Sequence, residues 1–118
     1  MKTTSIIDLF LDQQDEAFTL AVHAHQNRDY TQAFTAFERL AQHNDPQAQI
    51  NLACMLRDGQ GVATDLVAAH MWLELASREG DVIATREQEQ LRPRLSPEQL
   101  TQSRQMAASW ALRAEIQH

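Results

Sequence analysis

The sequence predicts an all-α fold: a short α-solenoid of antiparallel helix pairs, about two to three repeat units long, with a C-terminal capping helix. Three observations carry that expectation. Residues 29–48 are echoed at 65–84, a shift of 36 positions at which Asp29/Asp65, Ala33/Ala69, Glu38/Glu74, Asp45/Asp81 and Ala48/Ala84 coincide, with Asn44 standing where Gly80 does. Such an echo marks a repeat, in which each unit stacks on its neighbours to bury an apolar face it cannot bury alone. Apolar residues also recur at helical spacing: Ala33, Phe37, Leu40 and Ala41 share one face, and Ala69, Trp72, Leu73 and Ala76 share another one unit later. Capping residues, finally, stand where helices must begin.

Taken in order, helices are expected near residues 5–12, 15–27, 30–43, 46–58, 65–79, 81–92 and 96–115. Ser5 followed by Asp8, Asp29 followed by Gln32, and Ser96-Pro97 followed by Gln99 each have the form of a capping box. Asp45-Pro46 offers a cap with proline at the first helical position, and Asp65 and Asp81 serve the second unit. Pro93, within LRPRL, ends the sixth helix. The first two helices have an alternative, because Ile7, Phe10, Leu11, Gln14, Phe18, Ala21 and His25 would also form one stripe of a single long helix. In either form, Ile6, Ile7, Leu9, Phe10 and Leu11 are too apolar to lie free and are expected to pack as a terminal cap or on another molecule. Ala21, Ala33, Ala53 and Ala69 are small enough to let helices approach closely, while Phe37 and Trp72 fill the space between layers.

Composition bounds the function. The 118 residues fit one domain, and 43% hydrophobic content with three Gly and three Pro describes a folded, helix-rich chain. Sixteen acidic residues against ten Lys and Arg give a net charge of -6 with no basic run, which disfavours nucleic acid and anionic membranes as partners. Cys54 is the lone cysteine and no Cys/His ligand spacing occurs, so neither a disulfide framework nor a metal site is expected. The opening MKTTSIIDLFLDQQ is interrupted by Asp8 and Asp12, which is not the pattern of a signal peptide, and no stretch has transmembrane length. A soluble, cytoplasmic protein is expected.

No arrangement for catalysis or cofactor binding stands out. His23 and His25 are two apart on a helix and point to different sides, unlike the i, i+4 spacing of helical metal sites. Cys54 and His70 fall in one repeat, but nothing in the sequence orients them as nucleophile and base; Cys54 beside Met55 is better read as packing. Met71 and Met106 are read likewise, as gap fillers or adaptable contact surface. Carboxylates such as Asp15 with Glu16 and Glu87 with Glu89 face different directions on a helix. No phosphate loop, nucleophile elbow or dinucleotide fingerprint is present, and no cofactor is expected.

The stretch Ala48-Gln49-Ile50-Asn51-Leu52-Ala53, then Gly59-Gln60-Gly61-Val62, Asp65, Ala69, Trp72, Ala76, Gly80 and Ala84 resembles one complete Sel-1-like repeat, a relative of the tetratricopeptide repeat. The resemblance extends over roughly 15–114 and is specific at 46–84. It implies a single domain over 1–118, with a cap helix at 1–14, a degenerate unit at 15–44, a well-formed unit at 45–80 and a divergent unit and cap at 81–118. The first unit departs from the pattern: Gln26-Asn27-Arg28 replaces the glycine turn, and Ala36 stands where Trp72 does.

Families of this kind serve as scaffolds and adaptors, frequently in bacterial signalling, stress or secretion, so the resemblance implies a non-catalytic module that binds a protein or peptide. Its geometry would place the first helix of each pair on a concave face. That points Phe18, Val22 and His25, then Ile50, Cys54 and Arg57, then Ile83, Arg86 and Gln90 into a groove, apolar at its centre with two guanidinium groups at its edge. The competing reading makes Ile50 and Ile83 core between units and leaves Arg57 and Arg86 solvated. A structural homo-oligomer, a dimer for instance, assembling through the apolar N-terminal helix or the Trp110 helix, is the alternative function. A small hydrolase or metal protein stands well behind both.

Overall fold

A computed structural model describes the backbone of residues 6–116 and the side chains of residues 15–113. Among the described residues the chain is all-helical: α1 (Ile6–Gln26), α2 (Tyr30–Gln42), α3 (Pro46–Asp58), α4 (Leu66–Arg78), α5 (Val82–Leu91) and α6 (Pro97–Ile116), with a 3-10 turn at Arg92–Arg94 between the last two. From α1 to α5 each helix packs on the next, and α4 also carries α6. The radius of gyration is 15.2 Å and the extents are 57 × 36 × 23 Å. A compact chain of this length would have a radius near ~13.5 Å, so the stack is elongated.

The turns that reverse the chain use the residues expected of them. Asp45 accepts from the backbone N–H groups of Gln47 and Ala48, and Asp81 accepts from those of Ile83 and Ala84, so both helices start on a satisfied first turn. Asn44 and Gly80, the residues before these caps, both take positive φ, 64° and 88°. Asp65 accepts from the N–H of Ala68. Ser96 and Gln99 form a reciprocal capping box, each side chain accepting from the other's backbone N–H at 3.1 and 2.9 Å. Gly59 closes α3 in the left-handed conformation, with φ 70°. Gly61, with φ 74°, lies so close to the backbone carbonyl of Tyr30 that a Cβ there would collide with it, which holds the α3–α4 loop against the start of α2.

One open alternative is decided and one expectation is corrected. α1 runs unbroken from Ile6 to Gln26, so of the two forms the sequence allowed, the single long helix is the one that forms. Asp12 to Glu16 contains neither Gly nor Pro, and its glutamines and glutamate are good helix formers. Asp29 makes no side-chain cap, because its ψ of 69° departs from the extended value at which the carboxylate reaches back to the first turn. The Ser5–Asp8 box and the side chains of Ile6, Ile7, Leu9, Phe10 and Leu11 lie outside the described residues.

The core has the expected makeup. Ala21, Ala33, Ala53 and Ala69 are all sealed, as are Ala41, Ala48, Ala76 and Ala84, and around them pack Phe37, Leu52, Met55, Trp72 and Leu73. Full burial of a side chain such as Phe37 contributes about 1.5–3 kcal/mol. Phe18 of α1 meets Phe37 of α2 edge to face, ring centroids 5.8 Å apart, and Trp72 of α4 meets Trp110 of α6 in the same way at 5.2 Å. Gln49, buried in α3, donates to the carbonyl of Ala41 in α2 and ties those helices with a polar stitch.

Candidate functional site

The nine groove residues fall on three helices and have quite different surroundings. On α1, Phe18 and Val22 are half-buried against the core, and His25 bonds the side chain of Gln60 at 2.9 Å beside the ring of Tyr30. On α3, Ile50 is buried and Cys54 is half-buried. Arg57 is held by two carboxylates, with Nε donating to Asp58 Oδ1 at 2.9 Å and Nη1 donating to Glu87 Oε2 at 2.8 Å. On α5, Ile83, Arg86 and Gln90 are exposed.

The Arg57–Glu87 pair draws α3 and α5 together and places Cys54 among charges. Burial raises the Cys54 thiol above its ordinary value; the Arg57 guanidinium opposes that rise, and the Glu87 and Asp58 carboxylates reinforce it. The thiol is therefore protonated near neutral pH and is a poor nucleophile. The Asp58 carboxyl is held below its usual range chiefly by its hydrogen bond from Arg57. His70 turns elsewhere, bonding Ser103 through Nδ1 and approaching Gln88 through Nε2.

A second feature was not visible in the sequence. Between α1 and α2 an open cleft of about 1030 Å³ is floored by Ala17, Leu20 and Ala24 from one helix and Ala36 and Leu40 from the other. Arg39 and His43 stand at its edge, with Asn27, Asp29 and Gln32 lining it too. Leu20 is 61% exposed, the most open leucine among the described residues. Ala24 had no individual significance in the sequence and Ala36 stood out only as the echo of Trp72; the pairing of the two helices makes them a common floor. On α4 and α6 a smaller hollow of about 370 Å³ is lined by Met71, Met106 and Trp110, among others.

Among the described residues no group of three His, Cys, Asp or Glu side chains is placed to hold a metal ion, and no helix is long and apolar enough to cross a membrane. No family model matches the chain, and no curated protein matches it.

Proposed function

We propose that the chain is a short α-solenoid of the Sel-1-like kind, working as a non-catalytic protein-interaction module that receives a helix of a partner protein in the α1–α2 cleft. The cleft carries this reading, because the face of α4 that echoes its α2 side already holds a helix. Thirty-six residues on from Thr35 and Ala36 in the cleft stand Met71 and Trp72, and over these two lies α6, through Trp110. An apolar floor of small residues with a polar rim suits an amphipathic helix. The elongated stack supports the solenoid, as do the matched turns at Asn44/Gly80 and Asp45/Asp81. Of the nine groove residues, the exposed Ile83, Arg86 and Gln90 remain a second surface that a partner could touch.

Two substitutions test the reading. Ala36→Trp should plug the cleft, with far-ultraviolet circular dichroism confirming that the helices are kept, and Arg86→Glu should alter the α5 surface. Partners recovered from the native host by affinity purification should be lost with the first variant if the cleft is the site, and with the second if the α5 row is. Retention of every partner by both variants would sink the interaction surfaces named here.

A second reading, assembly of the chain with itself, is favoured by the exposed Leu112 and Met106 on α6. Size-exclusion chromatography with light scattering separates it from the first: a concentration-independent monomer removes it.

A further inference from the structure

Where α4, α5 and α6 meet, polar side chains are sealed together in an apolar setting. His70 and Ser103 are 0% exposed and Gln88 is 8% exposed. His70 Nδ1 lies 2.6 Å from Ser103 Oγ, and Nε2 lies 3.3 Å from the amide nitrogen of Gln88. That same amide nitrogen donates to the Glu74 carboxylate. An amide nitrogen carries only hydrogens, so His70 Nε2 must accept and the ring proton must sit on Nδ1, donated to Ser103. Turning the amide over would set its carbonyl oxygen against the Glu74 carboxylate. Glu74 thus fixes the amide, and the amide fixes the imidazole as neutral.

A second proton, on Nε2, would put two donors face to face at a ring that is itself 0% exposed. Among the buried polar residues Gln49, His70, Gln88 and Ser103, only His70 titrates. We infer that α6 is an acid-released cover: protonation of His70 breaks the contact that joins α4 to α5 and α6, and bares the face of α4 bearing Met71 and Trp72 while the packing of α1 to α4 persists.

The charges around the ring are consistent with this. Burial leads in holding the imidazole below its ordinary value of 6.5. Glu74, on α4, favours the cation, whereas Arg104 on α6 and Arg92 on the 3-10 turn oppose it; α5 presents the neutral amide of Gln88. Among the described residues α3 adds no charge that acts on the ring. Because the folded value lies below the unfolded one, the unfolded chain binds the proton more readily. The contribution of His70 to stability is therefore present above pH 6.5 and is lost as pH falls through the depressed folded value.

The chain carries its own reporter, since its two tryptophans, Trp72 and Trp110, face each other across this same contact. Tryptophan emission and far-ultraviolet circular dichroism of the full chain should be followed from neutral to acid pH. The expected result is a red shift of emission with its midpoint below 6.5 and most of the helical signal retained. His70→Phe should abolish that shift, and His25→Gln, at the half-buried histidine of α1, should leave it in place. If His70→Phe does not fold, imidazole nitrogen resonances of the unaltered chain decide: His70 should carry its proton on Nδ1 at neutral pH and titrate together with the emission shift. Emission that stays flat until all helix is lost, an unchanged transition in His70→Phe, or a His70 titration separate from the emission change would each overturn the inference.

Discussion

Residues 29–48 and 65–84 match where their helices begin and at Glu38/Glu74, and differ at most positions between. Both regions seal the alanine one turn into their first helix, Ala33 and Ala69, and both begin their second helix with a capping aspartate after a left-handed residue. Between these points Phe34 is replaced by His70 and Ala36 by Trp72. The first pair leaves α2 beside an open cleft; the second gives α4 a large aromatic for α6 to cover and a polar group for Ser103 to hold. Repeating positions make the turns and the close helix approach, whereas the positions that change decide whether a face is open or covered.

The largest break in the comparison comes from making the second region like the first. Trp72→Ala should destabilise the chain by about 3–5 kcal/mol, because a buried indole and its contact with Trp110 are both lost. Urea denaturation followed by circular dichroism checks this, and a cost below about 1 kcal/mol would mean that α6 is not seated on that ring.

Close packing should behave alike in both regions. Ala33 and Ala69 are each 0% exposed, so Ala33→Leu and Ala69→Leu should each overpack the core and cost about 1–3 kcal/mol. Similar losses in midpoint would sharpen the match between the regions. A tolerated leucine at either position would break it.

These contrasts also divide what the sequence made legible from what it did not. Asp45, Asp65, Asp81 and the Ser96–Gln99 pair could be read because capping is local: the cap and the N–H groups it satisfies lie within three residues. Small residues at helical spacing located the helix contacts for the same reason. The His70 cluster could not be read, since its partners are 18 and 33 residues away and a histidine among apolar neighbours carries no local sign of what it will meet. The cleft was equally hidden, being a property of two helix faces together. All nine groove residues lie on helices, and the competing reading of Ile50 as core agrees with its burial, but spacing did not reveal that Ile83 would be exposed or that Arg57 would be held by Asp58 and Glu87.

The smallest effects lie at the three aspartates that the echo brings into question. Asp45→Ala and Asp81→Ala should each cost about 1 kcal/mol, because each removes an acceptor shared by two backbone N–H groups at the start of a helix. Asp81 accepts also from the side chain of Gln47, at 3.2 Å, but that bond is exposed to solvent and should add little. Asp29 occupies the echo of Asp65 and has the sequence of a cap, yet its carboxylate satisfies no N–H in the first turn of α2. Asp29→Ala should therefore stay within about 0.5 kcal/mol of the unaltered chain. Equal costs at all three positions would mean that α2 is capped as α3 and α5 are, and would remove a difference between the two regions that lies in the backbone at Asp29 and not in side-chain identity.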